Sequence, residues 1–448
     1  MNKRLVVSAG LVAMGISGAQ ATDVPGLDSS IPKPWSISGT LRGFYDDNFR
    51  TQTEGNKQHA WGFEVSPALG FNLSPDPQTK IIFSYIYSFK YYDHDVSVNS
   101  DENYDQSHAF NASIEHAFNE RYKMVVGDSF AIGQEPDFLR AGNSFATFQR
   151  ISGNNIRNYG SIAFDAQLTR LFGLEIGYNN ALYNYADNGT GDPTIDALNP
   201  SNSGRLDRME NTIHVDTKWV LQPETVGIVG GQFRTVNYTA GEAIGVIVRP
   251  TPFGFIPDTI FSEARDSRTY YGYVGADHTF RPDLSASLRV GGQYVDSYND
   301  PSSSGSGWSP YFMLSVNWAY APDSRVELGV THDMSATDVI GTTFGVAGPN
   351  QTSFTAYSEA TVVYGAVRHR IAPRLRGSLI GQFQNSTYKG GAFNNDSEQD
   401  YLVGLNLTYE LSQHLSAEAG YNYDRLESDI PGRQFDRNRV YIGATASY

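Results

Sequence analysis

The sequence contains no cysteine, so neither a disulfide bond nor a thiolate–metal site can hold its fold together. Positive charge is also scarce: the formal net charge is -15, which disfavours nucleic acid and other polyanions as partners. The mean hydropathy is -0.38, which excludes a helical membrane protein. Aromatic residues and glycine are plentiful instead, with 28 Tyr, 25 Phe and 44 Gly, and this composition favours strands and turns.

The N-terminus has the pattern of an export signal. Lys3 and Arg4 form a basic start, and an apolar run and the small-residue cleavage site Ala-Gln-Ala follow. A membrane-spanning first helix is the alternative, but it would need about 20 apolar residues, more than the run provides. We expect residues 1–21 to be a signal peptide, 22–34 a short periplasmic segment and 35–448 a single domain.

Alternation of apolar and polar residues is the main pattern along the rest of the chain. Between Trp61 and Leu73, every second residue is apolar and the residues between them are small or polar. Such a period of two is typical of a strand with one apolar face. We predict eighteen strands of this kind, near residues 35–46, 58–73, 80–91, 107–118, 121–131, 157–171, 173–184, 210–221, 224–238, 267–280, 284–298, 307–320, 325–335, 356–371, 375–388, 399–411, 415–426 and 437–448.

The predicted connections alternate between tight turns and long loops. The long loops lie near 93–106, 132–156, 185–209, 239–266 and 336–355. This alternation is typical of an all-β, antiparallel outer-membrane β-barrel with short periplasmic turns and long extracellular loops. A soluble β-sandwich is the alternative, but two packed layers could not bury an aromatic band repeated on all of these strands.

Two stretches resemble known bacterial barrels. The segment NERYKMVVGDSF at 119–130, together with the repeated tight-turn hairpins, is similar to the family called putative β-barrel porin 2. This resemblance implies a porin in the cell outer membrane, and some members of the family accompany exopolysaccharide export systems. The last strand resembles the last strands of outer-membrane barrels, with Gly443 near its middle and Ala446 and Tyr448 at the third-from-last and last positions. That likeness implies that the barrel-assembly machinery recognises these three residues.

A barrel of this size leaves an aqueous channel, whereas about eight strands are filled by side chains. The face opposite the apolar residues carries charges of both signs, so strong selectivity for one ion sign does not follow. We expect no cofactor and no metal site, because His116, His278 and His369 fall on separate hairpins and are better interpreted as residues of the membrane interface. The residues predicted to line the lumen are Arg42, Glu64, Lys80, Lys90, Glu175, Arg234, Arg289, Arg368, Arg376 and Glu418.

The long connection 132–156 is too apolar for a solvated loop, because large apolar residues are interleaved with Arg140 and Arg150. We hypothesise that it folds into the lumen as a constriction and that the two arginines face the path. An external loop packed on its neighbours is the alternative.

These patterns predict a channel for the passive passage of hydrophilic solutes. The alternative is the outer-membrane conduit of an exopolysaccharide export system, which needs the same barrel. An enzyme is disfavoured, because no sequence feature ties His94 or His332, the histidines nearest the predicted outer rim, to a nucleophile. The expected partners are outer-membrane lipid, the barrel-assembly machinery, and a small solute or a polysaccharide; a homo-oligomer is possible and nucleic acid is not expected.

Overall fold

The structure is a computed structural model and describes residues 34–95, 102–133, 154–186, 189–251, 254–300, 305–340, 355–391 and 393–448. The predicted signal peptide, nearly all of the 22–34 segment, and both arginines of the predicted constriction, Arg140 and Arg150, lie outside these residues. Within the described ranges, no helix has the length and apolar character needed to cross a bilayer.

The described residues form twenty strands, which we number in chain order. They are β1 (Trp35–Asp46), β2 (Ala60–Asp76), β3 (Thr79–Tyr92), β4 (Tyr104–Ala117), β5 (Tyr122–Gly133), β6 (Asn155–Gln167), β7 (Phe172–Tyr185), β8 (Arg208–Gln222), β9 (Thr225–Tyr238), β10 (Ala243–Thr251), β11 (Gly254–Phe261), β12 (Ser267–Arg281), β13 (Leu284–Asp296), β14 (Gly307–Ala321), β15 (Ser324–Ser335), β16 (Tyr357–Ala372), β17 (Leu375–Lys389), β18 (Ser397–Glu410), β19 (Leu415–Ser428) and β20 (Phe435–Ser447).

Eighteen of these strands form one antiparallel sheet that closes on itself, so the predicted barrel is confirmed. Each strand of the barrel pairs with its neighbours in the chain, with two exceptions: β9 pairs with β12 past the separate β10–β11 hairpin, and β1 pairs with β20. Tight turns gather at one end of the barrel and longer connections at the other. We call these the short-turn end and the long-loop end.

The barrel closes between its first and last strands. β1 pairs with β2 on one side and with β20 on the other, in a register that sets Ser38 opposite Ser447. Tyr448 extends the ladder beyond β20, because its N–H donates to the Ile37 carbonyl at 2.9 Å. The last strand therefore pairs with the first, and neither is left as an open edge.

The two faces of the barrel differ in polarity. On β2, Trp61 and Phe63 point outward and are 61% and 42% exposed. Glu64 and Ser66 lie on the opposite face, where the Ser66 hydroxyl donates to the Glu64 carboxylate at 3.0 Å. Buried apolar residues form small separate clusters instead of one core. The fold therefore depends on the closed hydrogen-bond ladder and on an apolar outer surface suited to lipid.

The prediction of a plain loop at 239–266 was wrong. This connection holds the β10–β11 hairpin, followed by a 3₁₀ turn, Ser262–Arg265. The stretch AIGVIVRPT is rich in β-branched residues, which favour a strand. The hairpin pairs with itself, however, and adds no strand to the barrel.

The predicted loop at 185–209 contains two short helices, α1 (Pro193–Asp196) and α2 (Asn202–Leu206). Asp192 begins α1, because its side chain accepts a hydrogen bond from the Thr194 N–H at 2.8 Å. Both helices are too short to show a helical period in the sequence, so only their capping residues could have indicated them.

Candidate functional site

A charged group on the inner wall spans the closure of the barrel. Arg42 Nε lies 2.5 Å from Glu418 Oε1, and Arg42 Nη1 lies 3.4 Å from Glu64 Oε2. β20 separates the strands of Arg42 and Glu418, and the β20 residue in register with both is Gly443. A Cβ at Gly443 would lie 2.7 Å from Arg42 Cγ, so glycine is needed for the arginine to reach across. Gly443, predicted as part of an assembly signal, therefore also shapes the inner wall.

A second charged group lies on β6, β7 and β8. Lys218 Nζ lies 2.6 Å from Glu175 Oε2 and also contacts the Asp165 carboxylate. His214 Nε2 lies 3.3 Å from the other oxygen of Glu175. The Glu175 side chain is only 1% exposed, so these contacts supply the hydrogen bonds and the counter-charge that a shielded carboxylate needs.

Most residues predicted to line the lumen lie beside a residue of opposite charge on a neighbouring strand. Arg368 differs, because the residue in register with it is Arg325. That these side chains line a solute path stays a prediction. The remaining neighbours are Asp277 for Arg289 at 3.0 Å, Glu410 for Arg376 at 3.0 Å and, in register on adjacent strands, Glu115 for Lys80 and Glu64 for Lys90.

The ladder between β14 and β15 ends early at the long-loop end. Its last pair is Phe312 with His332, although both strands continue beyond it. Pro310 lies in this unpaired part of β14 and has no N–H to donate. The fully buried side chain of Gln293 on β13 replaces the missing ladder. Its Nε2 donates to the Pro310 carbonyl at 2.8 Å, and its Oε1 accepts from the Met334 N–H at 3.2 Å.

Past this pair β15 stays paired with β16 up to Ser335, and the chain then continues at the mouth of the barrel, the opening at the long-loop end. We call residues 333–340 the mouth strap. Asp333 accepts hydrogen bonds from Arg234 Nη1 at 3.1 Å and from the Tyr271 hydroxyl at 2.9 Å. Arg234 lies on β9 and Tyr271 on β12, so both bonds reach Asp333 past the intervening strands β13 and β14. These two bonds therefore cross the inner side of β13 and β14.

A buried ion-pair network anchors one side of the mouth strap. Arg433, between β19 and β20, lies 3.1 Å from Asp338 Oδ2 and also contacts the Glu398 carboxylate on β18. The Asp338 and Glu398 side chains are 3% and 2% exposed. Burial opposes the charge on Arg433, but the two carboxylates hold its pKa well above the ordinary arginine value. Val339 adds an apolar contact with Tyr388.

Arg265, which follows the β10–β11 hairpin, holds the other side of the mouth strap. Its guanidinium donates to the Thr337 carbonyl and, at 2.9 Å, to the Arg205 carbonyl in α2. α2 in turn packs through Leu206 against Tyr183 of β7. β7 and β18 stand on opposite sides of the ring of strands. Contacts through the mouth strap therefore connect one wall of the barrel with the other.

The mouth strap could hardly be predicted from the sequence. Residues 336–340 belong to a predicted long loop, and nothing in their composition indicated contacts across the mouth. Pro310 was the one available signal, because proline inside a strand marks an interrupted ladder. Asp338 and Arg433 are 95 positions apart, so their contact leaves no local trace in the sequence. The predicted constriction at 132–156 lies almost wholly outside the described residues and stays a prediction.

The three histidines near the short-turn end have separate hydroxyl neighbours. Within the part of the chain that the structure describes, no group of three or more His, Asp or Glu side chains is arranged to hold a metal ion. The neighbours are Thr79 for His116 at 2.9 Å, Thr225 for His278 at 2.8 Å and Tyr320 for His369 at 2.8 Å.

A closed barrel of eighteen antiparallel strands, with an apolar outer face and a charged inner wall, defines a porin-like outer-membrane barrel. Residues 256–448 match the family described as putative beta-barrel porin 2. The predicted resemblance to this family is therefore confirmed over that part of the chain. No curated protein matches the chain in sequence.

Solved outer-membrane proteins align with nearly the whole chain at low identity. The outer membrane protein opdK from Pseudomonas aeruginosa is 12% identical with a TM-score of 0.41, and the alignment covers 92% of this chain and 99% of opdK. OccAB4 from Acinetobacter baumannii is 9% identical with a TM-score of 0.40, covering 93% and 99%. A mutant of the ferric enterobactin receptor PfeA from Pseudomonas aeruginosa is 10% identical with a TM-score of 0.40, covering 92% and 80%. The barrel is established by its own strand pairing.

Proposed function

We propose that the protein is a channel through which small hydrophilic solutes pass passively. The observation that carries this proposal is the inner wall, where charged side chains pair across the strands of a closed eighteen-stranded barrel. Barrels of this size leave an aqueous lumen, and a polar wall replaces part of the hydration that a solute loses on entry.

The position of the mouth strap favours an upper limit on the size of the solutes that pass. Its contacts with Arg234, Arg265 and Arg433 connect it to the walls on both sides of the mouth. A solute must therefore pass beside it. We infer that the mouth strap, and not the full diameter of the barrel, sets the upper size of a permeant solute.

Planar-bilayer recordings on the purified full-length protein test this function. We expect a steady single-channel current in KCl that falls when small neutral sugars enter the lumen and recovers when the sugars exceed a size limit. The absence of current would contradict the proposal, provided that the sample keeps the heat-modifiable gel mobility of a folded barrel. A current that long polysaccharide chains block, and that small sugars leave unchanged, would favour the exopolysaccharide conduit instead.

We also propose that the protein resides in the cell outer membrane and is inserted there by the barrel-assembly machinery. The support is the last strand, where Val440, Ile442 and Tyr448 are outward and exposed and Thr445 is buried on the inner side. Separation of membranes on a density gradient should place the folded protein with the outer membrane. Its recovery in the inner membrane or the periplasm would contradict this location.

A further inference from the structure

A group of polar side chains lies on the outward face of β5–β8. Both carboxylate oxygens of Asp128 accept from Asn158 Nδ2, each at 3.1 Å. Asn211 Oδ1 accepts from the Tyr178 hydroxyl at 2.7 Å and from Asn180 Nδ2 at 2.9 Å. We call these five residues the outer patch.

The outer patch extends into the depth of the apolar band. Asp128 is the seventh residue of β5, which starts at the aromatic residue Tyr122, and it alternates with the apolar Val126 and Phe130 on the same face. At about 3.3 Å per residue along a strand tilted by about 40°, it lies about 15 Å from the short-turn girdle, within an apolar band about 25 Å tall. Its carboxylate is exposed on the lipid side of the wall.

Lipid cannot satisfy the hydrogen-bonding capacity of a carboxylate at this depth. Hydrocarbon offers no hydrogen bonds, and Asn158 supplies a single amide group for both oxygens of Asp128. The other outward carboxylates of the described barrel strands stand near the long-loop end, where water and headgroups are available. They are Asp296, Glu359, Glu427 and Asp436.

The outer patch has a small residue at its centre. Gly160 is in register with Asp128 on one side and with Asn180 on the other. Its missing side chain lets a second backbone approach closely, as small residues do where membrane-spanning segments pack. Asp128 and Tyr178 flank β6 at matching depth, because each is the seventh residue of its strand.

We propose that the outer patch is the contact surface of a homodimer, with a two-fold axis along the membrane normal through β6. This axis sets β5 of one copy against β7 of the other. The Tyr178 hydroxyl of the second copy then turns from Asn211 and donates its one proton to Asp128, a charge-assisted bond that replaces a neutral one. Gly160 then faces Gly160 of the second copy. An isologous contact needs donor and acceptor on the same surface, and the outer patch carries both at one depth. The dimer does not depend on the proposed channel function.

Cysteine cross-linking tests the position of the axis, because the chain contains no cysteine of its own. Gly160→Cys should form a disulfide-linked dimer in oxidised membranes. Gly381→Cys is the matched control, an outward glycine on β17, which stands opposite β6 in the ring. A Cβ fits at both positions, with the nearest atoms at 3.5 Å and 3.9 Å. Equal cross-linking of both variants, or of neither, would overturn the proposal.

Removal of the carboxylate tests the chemistry of the contact. A leucine side chain is compatible with lipid, so Asp128→Leu should keep the gel mobility of a folded barrel. Because the variant lacks the carboxylate, it should change from dimer to monomer in lipid nanodiscs. Asp296→Leu removes an outward carboxylate outside the outer patch and should leave the dimer intact. A monomeric unaltered protein, a dimer that persists in Asp128→Leu, or cross-linking of Gly160→Cys only to a different protein would each overturn the proposal.

Discussion

Arg433 is the single residue on which the mouth strap depends most, because its positive charge pairs with two buried carboxylates, Asp338 in the mouth strap and Glu398 on β18. Arg433→Gln leaves Asp338 and Glu398 without this cation. We expect the free energy of unfolding to fall by about 3–5 kcal/mol, the usual effect of breaking a buried ion pair. The freed mouth strap should also raise the single-channel conductance. Urea unfolding in detergent and bilayer recordings measure the two effects.

Arg425→Gln is the matched control for this change. The Arg425 side chain is 49% exposed and its ion-pair partner Glu427 is 44% exposed. Exposed pairs contribute at most about 1 kcal/mol, so this variant should resemble the unaltered protein in both measurements. If Arg433→Gln conducts no more than Arg425→Gln, the mouth strap does not limit the current.

Gln293 is the second residue whose loss should have a large effect. Its side chain forms hydrogen bonds with the backbone of both β14 and β15 where these two strands separate. Gln293→Leu leaves the Pro310 carbonyl and the Met334 N–H without this partner. We expect a loss of stability of about 1–3 kcal/mol for each group that stays buried and unsatisfied. Gln382→Leu is the control, because Gly381-Gln382-Phe383 matches Gly292-Gln293-Tyr294 in residue type but lies beside a complete ladder. Equal losses in the two variants would show that Gln293 has no special role.

Among the elements, the strands were predictable because lipid on one side and water on the other impose a period of two on each of them. β1 was predicted to the residue. β6 was predicted to reach 171 but ends at Gln167, because the Thr169 N–H bonds to the Phe172 carbonyl and forms the tight turn. The alternation could assign a face to Arg42, but its contact with Glu418 depends on how the strands close. Such partners could not be predicted from the sequence.

The last strand is the element whose removal should affect assembly most. Tyr448 packs against Trp35 with ring centroids 5.8 Å apart and stacks on His414 at 5.7 Å. Tyr448→Asp, or deletion of Tyr448, should impair insertion and leave protein in the periplasm. Tyr448→Phe keeps the ring and should insert normally. Comparison of the outer-membrane and periplasmic amounts checks this, and normal insertion of the first two variants would contradict an assembly role for the C-terminal residue.

The connection between β5 and β6 gives a second prediction for a whole element. If it narrows the lumen, deletion of residues 135–150 should increase the single-channel conductance. If this connection and the mouth strap narrow the lumen at different depths, the deletion and Arg433→Gln should have additive effects on the conductance. Unchanged conductance in the deletion variant, with folded-barrel gel mobility retained, would leave the mouth strap as the structure that sets the size limit.

For the molecule as a whole, the paired inner wall predicts weak ion selectivity despite the net charge of -15. Lys218 with Glu175 is one such pair, and a paired wall presents little net potential to a passing ion. The reversal potential in a KCl gradient should therefore lie close to zero. Glu418→Gln removes one of the two carboxylates beside Arg42 and should shift the reversal potential toward anion selectivity. Glu427→Gln, on the outward face near the long-loop end, should not. Strong cation selectivity in the unaltered protein would mean that residues beyond these pairs control the path.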